Sequence, residues 1–74
     1  MIGYSLSIVQ KNKDADGKRI GVKLGRVCIK KNISVRKVAE VAGVSTVAVY
    51  GWFTGEFDPK PETLKKLMKY IERA

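Results

Sequence analysis

Residues 34–55 read SVRKVAEVAGVSTVAVYGWFTG, two short stretches of helical periodicity joined by Gly43-Val44-Ser45. In the first, Val35, Val38, Ala39 and Ala42 recur at i, i+3, i+4 and i+7, the spacing of one apolar helix face. Ser34 precedes it as an N-cap, its hydroxyl placed to accept from a first-turn N–H. Gly43 follows it and, lacking a Cβ, takes at little cost the left-handed conformation that ends a helix. Ser45 caps a second helix, Thr46 to Phe53, with Val49, Trp52 and Phe53 on its inner side, and Thr54-Gly55 closes it. A three-residue connection forces the two helices to pack at a steep angle. Val38, Ala39, Ala42, Gly43, Val44, Val49 and Trp52 are the expected interior of the pair, Ala39 being small because the second helix crosses close above it.

The flanks supply further walls. Glu56 to Lys60 read as a loop, with Phe57 placed to plug the core or a dimer contact. Pro61 at a first helical position and Glu62 in the first turn open another helix. Its stripe is Leu64, Leu67, Met68 and Ile71. Upstream, Ile20, Leu24, Val27 and Cys28 mark one face of a helix, with Asp16 as the expected N-cap and Asn32 as the C-cap. Gly21 and Gly25 cost that helix up to about 1 kcal/mol each, and their spacing lets another element come close. In residues 1–10, Tyr4, Leu6 and Ile8 alternate with Ser5 and Ser7, a period-2 pattern of a strand; residues 11–18 read as a polar turn. The expectation is an all-α domain of four helices over residues 17–74, preceded by an extended segment over residues 1–16.

A chain of 74 residues allows one domain, burying roughly 60% of its unfolded surface. Fifteen Lys and Arg against seven Asp and Glu give a net charge of +8. That favours a polyanionic partner, double-stranded DNA first. A membrane surface is excluded because the apolar stripes are needed for the domain's own core, and no apolar run approaches the ~18 residues of a transmembrane helix. The absence of His removes the commonest general base and metal ligand. One cysteine, Cys28, makes neither an internal disulfide nor a zinc cluster, and its place on an apolar face makes it a core residue. Asn12, Asp14, Asp16 and Gly17 imitate the opening of a calcium loop, but Lys23 stands where the loop's bidentate acid belongs. No catalysis, cofactor, metal or small-molecule substrate is expected.

The A-x-x-x-G-V spacing of Ala39, Gly43 and Val44, followed by Val49 and the WFTG at 52–55, resembles the Cro and phage-repressor (XRE-like, lambda-repressor-like) type of helix-turn-helix DNA-binding domain. The resemblance runs through PETLKKLMKYI and covers about residues 17–72. It implies a lambda-repressor-like fold and a sequence-specific transcriptional regulator of phage or prokaryotic origin, cytoplasmic, binding operator DNA as a homodimer. It places Thr46 to Phe53 in the major groove, with Ser45, Thr46, Val47, Tyr50 and Gly51 at base edges. Phosphate contacts carried over are Arg36, Lys37, Thr54 and Lys60, with Lys23 and Arg26 reaching the backbone on one flank. Residues 2–9 and the region of Phe57 with the last helix are the candidate dimer surfaces.

The charge map divides along the same lines. Residues 18–37 hold eight bases and no acid, whereas residues 38–58 hold Glu40, Glu56 and Asp58 and no base. The outward set therefore lacks the Arg, Lys, Asn and Gln that pair bidentately with G or A, which points to A·T-rich or shape-based readout. The same smooth patch of Val47, Tyr50 and Gly51 leaves a second function open: a phage-encoded protein that binds a host protein such as RNA polymerase, or an antitoxin.

Overall fold

The computed structural model describes residues 6–73. Five α-helices follow one another there: α1 (Leu6–Asp14), α2 (Ile20–Lys30), α3 (Val35–Ala42), α4 (Thr46–Phe53) and α5 (Pro61–Arg73). α4 packs between α2 and α3, α5 closes on α3, and α1 lies on α2. The all-α class and the small helix-turn-helix fold hold as expected. The helix count and the N-terminal segment do not.

Leu6 to Asp14 is helical rather than extended, so the strand-and-turn reading is corrected over those residues; Met1 to Ser5 lie outside the described residues. A lone strand would leave its backbone donors and acceptors without partners, whereas a helix pairs its own. The turn also brings Ile8, Val9 and Asn12 onto one face, i, i+1 and i+4, and that face meets the body. Ile8 and Val9 pack against the core cluster. Asn12 is 3% exposed, and its Nδ2 donates to Phe53 O at 2.7 Å and to Val22 O at 3.2 Å.

The expected cap of α2 also moves. Asp16 instead makes a turn, its carboxylate accepting from Lys18 N at 2.9 Å, and the helix starts at Ile20. The distant Asp58 supplies the carboxylate at that terminus: Oδ1 accepts from Gly21 N at 3.4 Å and Oδ2 pairs with Arg19 at 3.3 Å. An acid at a helix N-terminus meets free N–H groups and the positive end of the dipole, so this contact pins the loop before α5 to α2.

Three helices end in the same way. Asn32, Gly43 and Gly55 have φ of 59°, 73° and 85°. The next residues, Ile33, Val44 and Glu56, donate back five positions, to Cys28 O at 2.8 Å, Ala39 O at 3.0 Å and Gly51 O at 2.9 Å. That is the six-to-one bond of a Schellman stop. Gly43 thus has the conformation its lack of a Cβ suggested, but it is an exposed cap rather than an interior residue. Val38, Ala39, Val49 and Trp52 are buried, and Ala42 and Val44 are half-buried against the same cluster. Cys28, Phe53 and Leu67 complete its centre. Gly21 and Gly25 serve the close approach expected of them. A Cβ at Gly21 would lie 2.6 Å from Trp52 O, and one at Gly25 would lie 2.8 Å from Phe53 Cγ.

Candidate nucleic-acid interface

α4 is amphipathic only in its arrangement, since its sequence is apolar nearly throughout. Val49, Trp52 and Phe53 turn inward and are buried. Ser45 and Thr46 stand exposed at its N-terminus. Val47 is 73% exposed and Tyr50 43%. Ser45 Oγ accepts from Ala48 N at 3.3 Å, capping the helix, and its hydroxyl hydrogen stays available to an outside acceptor. Thr54 Oγ1 donates to Tyr50 O at 2.8 Å, so its proton is committed within the helix.

Gly51 departs from the outward set. It is buried, and a Cβ there would overlap the Phe57 ring. The loop aromatic therefore neither plugs the main core nor stands free; it lies half-exposed against the backbone of α4. Gly51 makes that seat possible and is a packing residue.

The basic residues divide. Arg36 and Lys37 lie exposed in the first turn of α3, and Lys60 precedes α5. Lys37 Nζ sits 3.3 Å from Glu40 Oε1 and 5.8 Å from the centre of the Tyr70 ring. These contacts are exposed and shift easily, as surface pairs are worth under about 1 kcal/mol. Arg26 is occupied otherwise: its Nη2 donates to Lys13 O and Ala15 O, both at 3.3 Å. It caps the C-terminal end of α1, where carbonyls lack helical partners. Lys23 lies on the rim of an apolar groove between α2 and α5, opposite Glu72. Lys23 and Arg26 line other grooves than the exposed residues of α4 do.

What the structure does bring to α4 is α1. Ile8, Lys11 and Asp14 line a groove of about 630 Å³ with Val47, Tyr50 and Thr54. Sequence reading missed this wall, because residues 6–14 were read as strand and turn. The available signal was the spacing of Ile8 and Asn12, one helical turn apart. Of the acids around α4, Glu40 pairs with Lys37 and Asp58 with Arg19. The negative charge of these two acids is thereby partly offset within the chain.

No helix among the described residues is long and apolar enough to cross a membrane. No curated protein and no solved structure matches the chain. A protein-family model described as Helix-turn-helix matches residues 19–73, from the N-cap of α2 to the last turn of α5. The match spans the Schellman stop at Gly43, the three-residue turn and the exposed helix that follows. The chain belongs to the helix-turn-helix family of the Cro and repressor (XRE) type, a DNA-binding domain.

Proposed function

We propose that this DNA-binding protein is a sequence-specific transcriptional regulator from a phage or prokaryotic genome, acting in the cytoplasm on operator DNA. The observation that carries the reading is the division of α4: Val49, Trp52 and Phe53 lock it to the body while Ser45, Thr46, Val47 and Tyr50 face outward. In the major groove, the Ser45 and Thr46 hydroxyls hydrogen-bond base edges, Val47 meets thymine methyls, and Tyr50 reaches a base or phosphate. Arg36, Lys37 and Lys60 hold the backbone; Thr54, whose hydroxyl donates to Tyr50 O, stands outside the set. The readers lack bidentate side chains, so recognition rests on A·T content and duplex shape. One such domain makes few contacts, so a homodimer on a pseudo-palindrome, with half-sites about 34 Å apart, is the binding form. Met68, about half-exposed on α5, supports a pairing surface at the α5 side.

Fluorescence anisotropy with a random duplex and with the DNA upstream of the gene, at two salt concentrations, tests this. Salt-sensitive binding that prefers the upstream DNA is the expected result. Sequence-blind binding, or none, overturns it.

A second reading is favoured by one observation. The outward face of α4 carries no charged side chain, and Val47 is 73% exposed, a surface suited to a protein partner such as RNA polymerase, or to the toxin of an antitoxin pair. Thr46→Ala and Tyr50→Ala separate the two: loss of a protein contact with DNA affinity intact supports the second reading.

A further inference from the structure

Lys11 belongs to α1, upstream of the family match over residues 19–73. It lines the same groove as Val47, Tyr50 and Thr54 of α4. α1 is fastened to the body at two points: the buried Asn12 side chain binds Phe53 O at the end of α4, and Arg26 of α2, the helix α4 packs on, binds Lys13 O and Ala15 O. α1 and α4 therefore approach any surface as one body.

Dimensions decide where α1 falls. A helix with its side chains is about 10–12 Å across, and the major groove is about 12 Å wide. A duplex that admits α4 has no room for α1 beside it in the same groove. The neighbouring helix lies instead over the sugar-phosphate strand that walls the groove. α4 brings no base of its own between Thr46 and Phe53. Among the described residues lining the groove, Lys11 is the one cation, beside Asp14 and Glu56. Asp14 Oδ1 accepts from Gln10 Nε2 at 2.9 Å, along the same helix. A lysine is a compact point charge, suited to a phosphate rather than to the two-pronged pairing of a base edge.

We infer that Lys11 is a phosphate contact of the bound duplex, supplied to the reading helix from a segment outside the helix-turn-helix match. The inference rests on the DNA-binding reading above. Lys13 is the internal comparison: it is one helix, two residues on, and lines a different groove with Arg26 and Lys30.

The probe is a fluorescein-labelled duplex selected by the wild-type protein from a randomised library, titrated between 50 and 200 mM salt in steps (about the range over which phosphate contacts dominate affinity). Lys11→Ala is expected to weaken binding several-fold and to reduce the salt slope by about one. Lys11→Glu is expected to weaken it more than tenfold, since an acid would join Asp14 and Glu56. Lys13→Ala should change the slope by less than half as much as Lys11→Ala. Circular dichroism checks that each variant keeps the wild-type fold, as expected for exposed positions. Wild-type affinity and slope in both Lys11 variants would overturn the inference while leaving DNA binding standing. A wild-type protein that selects no duplex at all overturns the DNA-binding reading, and this inference with it.

Discussion

The Nδ2 of Asn12 donates to the carbonyl of Phe53 at 2.7 Å, joining the upstream helix to the end of α4 across 41 residues of sequence. Phe53 O belongs to the last turn of α4. Removing a buried side chain that makes two such bonds, to Phe53 O and Val22 O, costs about 1–3 kcal/mol. Asn12→Ala should therefore lower stability by about that amount, or roughly 4–8 °C in Tm per kcal/mol for a domain this small. Asn12→Asp should cost more at pH 7, because a carboxylate would face the oxygens of Phe53 and Val22. The excess should shrink in acid, where the protonated acid again donates. Thermal melts of both variants at pH 7 and pH 3.5 read the difference; an Asp variant as stable as wild type at pH 7 would remove this bond from the account.

Gly21 and Gly51 separate two kinds of close approach. Gly to Ala in a helix gains about 1 kcal/mol in propensity, so the sign depends on what the new Cβ meets. At Gly21 it meets the backbone of Trp52, 2.6 Å from the carbonyl oxygen and 3.0 Å from Cα. Backbone cannot step aside without parting α2 from α4. At Gly51 it meets the ring of Phe57, a side chain already 44% exposed and able to swing out. Gly21→Ala should destabilise by about 1–3 kcal/mol, the range of overpacked cores, whereas Gly51→Ala should stay within about 0.5 kcal/mol of wild type. Urea denaturation measures both, and equal losses would contradict the distinction.

Cys28 is fully buried, and burial pushes its thiol from 9.0 up to about 11. The thiolate is the nucleophile, so the native protein should react with a thiol reagent at pH 8 only as fast as it opens. Labelling in denaturant should be complete within seconds to minutes. The unfolded thiol ionises near 9 while the folded one holds its proton, so stability present below pH 9 is lost between pH 9 and about 11. Cys28→Ser would flatten that part of the pH profile. A profile with the same fall in the serine variant would assign it to other groups.

Much of this was legible before any coordinates, and the reason lies in period and punctuation. Ser34, Gly43 and Ser45 mark helix ends by local chemistry, and Ser34 Oγ and Ser45 Oγ indeed accept from Lys37 N and Ala48 N. Val38, Val49 and Trp52 are buried as their spacing required. Four features were hidden because each depends on a partner away in sequence. Nothing near Asn12 announces that it will face Phe53. Asp16 has the right chemistry for a cap, but Asp58 takes the role from 37 residues beyond Gly21. Gly51 falls at an outward position by helical count, and only the path of the loop carries Phe57 over it. Arg26 has the same history: at helical spacing it is one of several surface bases, and the placement of α1 turns it into a cap.

Arg36 and Val47 give the last contrast, between holding DNA and reading it. Arg36 is exposed in the first turn of α3, and Val47 is exposed on the outer face of α4. A phosphate contact stabilises every sequence alike through counterion release. A methyl–methyl contact exists only where a thymine is present. Arg36→Ala should therefore weaken specific and random duplexes in parallel and reduce the salt slope by about one. Val47→Ala should leave the slope and the random-duplex affinity unchanged. Its loss should appear only on the preferred duplex, by about 1 kcal/mol or roughly fivefold, the lower end for a single base pair. Replacing each thymine of that duplex in turn by uracil, which lacks the methyl, should reproduce the Val47→Ala loss at one position. At that position the valine and the methyl should be non-additive, since removing either removes the same contact. Additive losses at every position would mean that Val47 does not meet a thymine methyl, and would shift the weight of recognition to duplex shape.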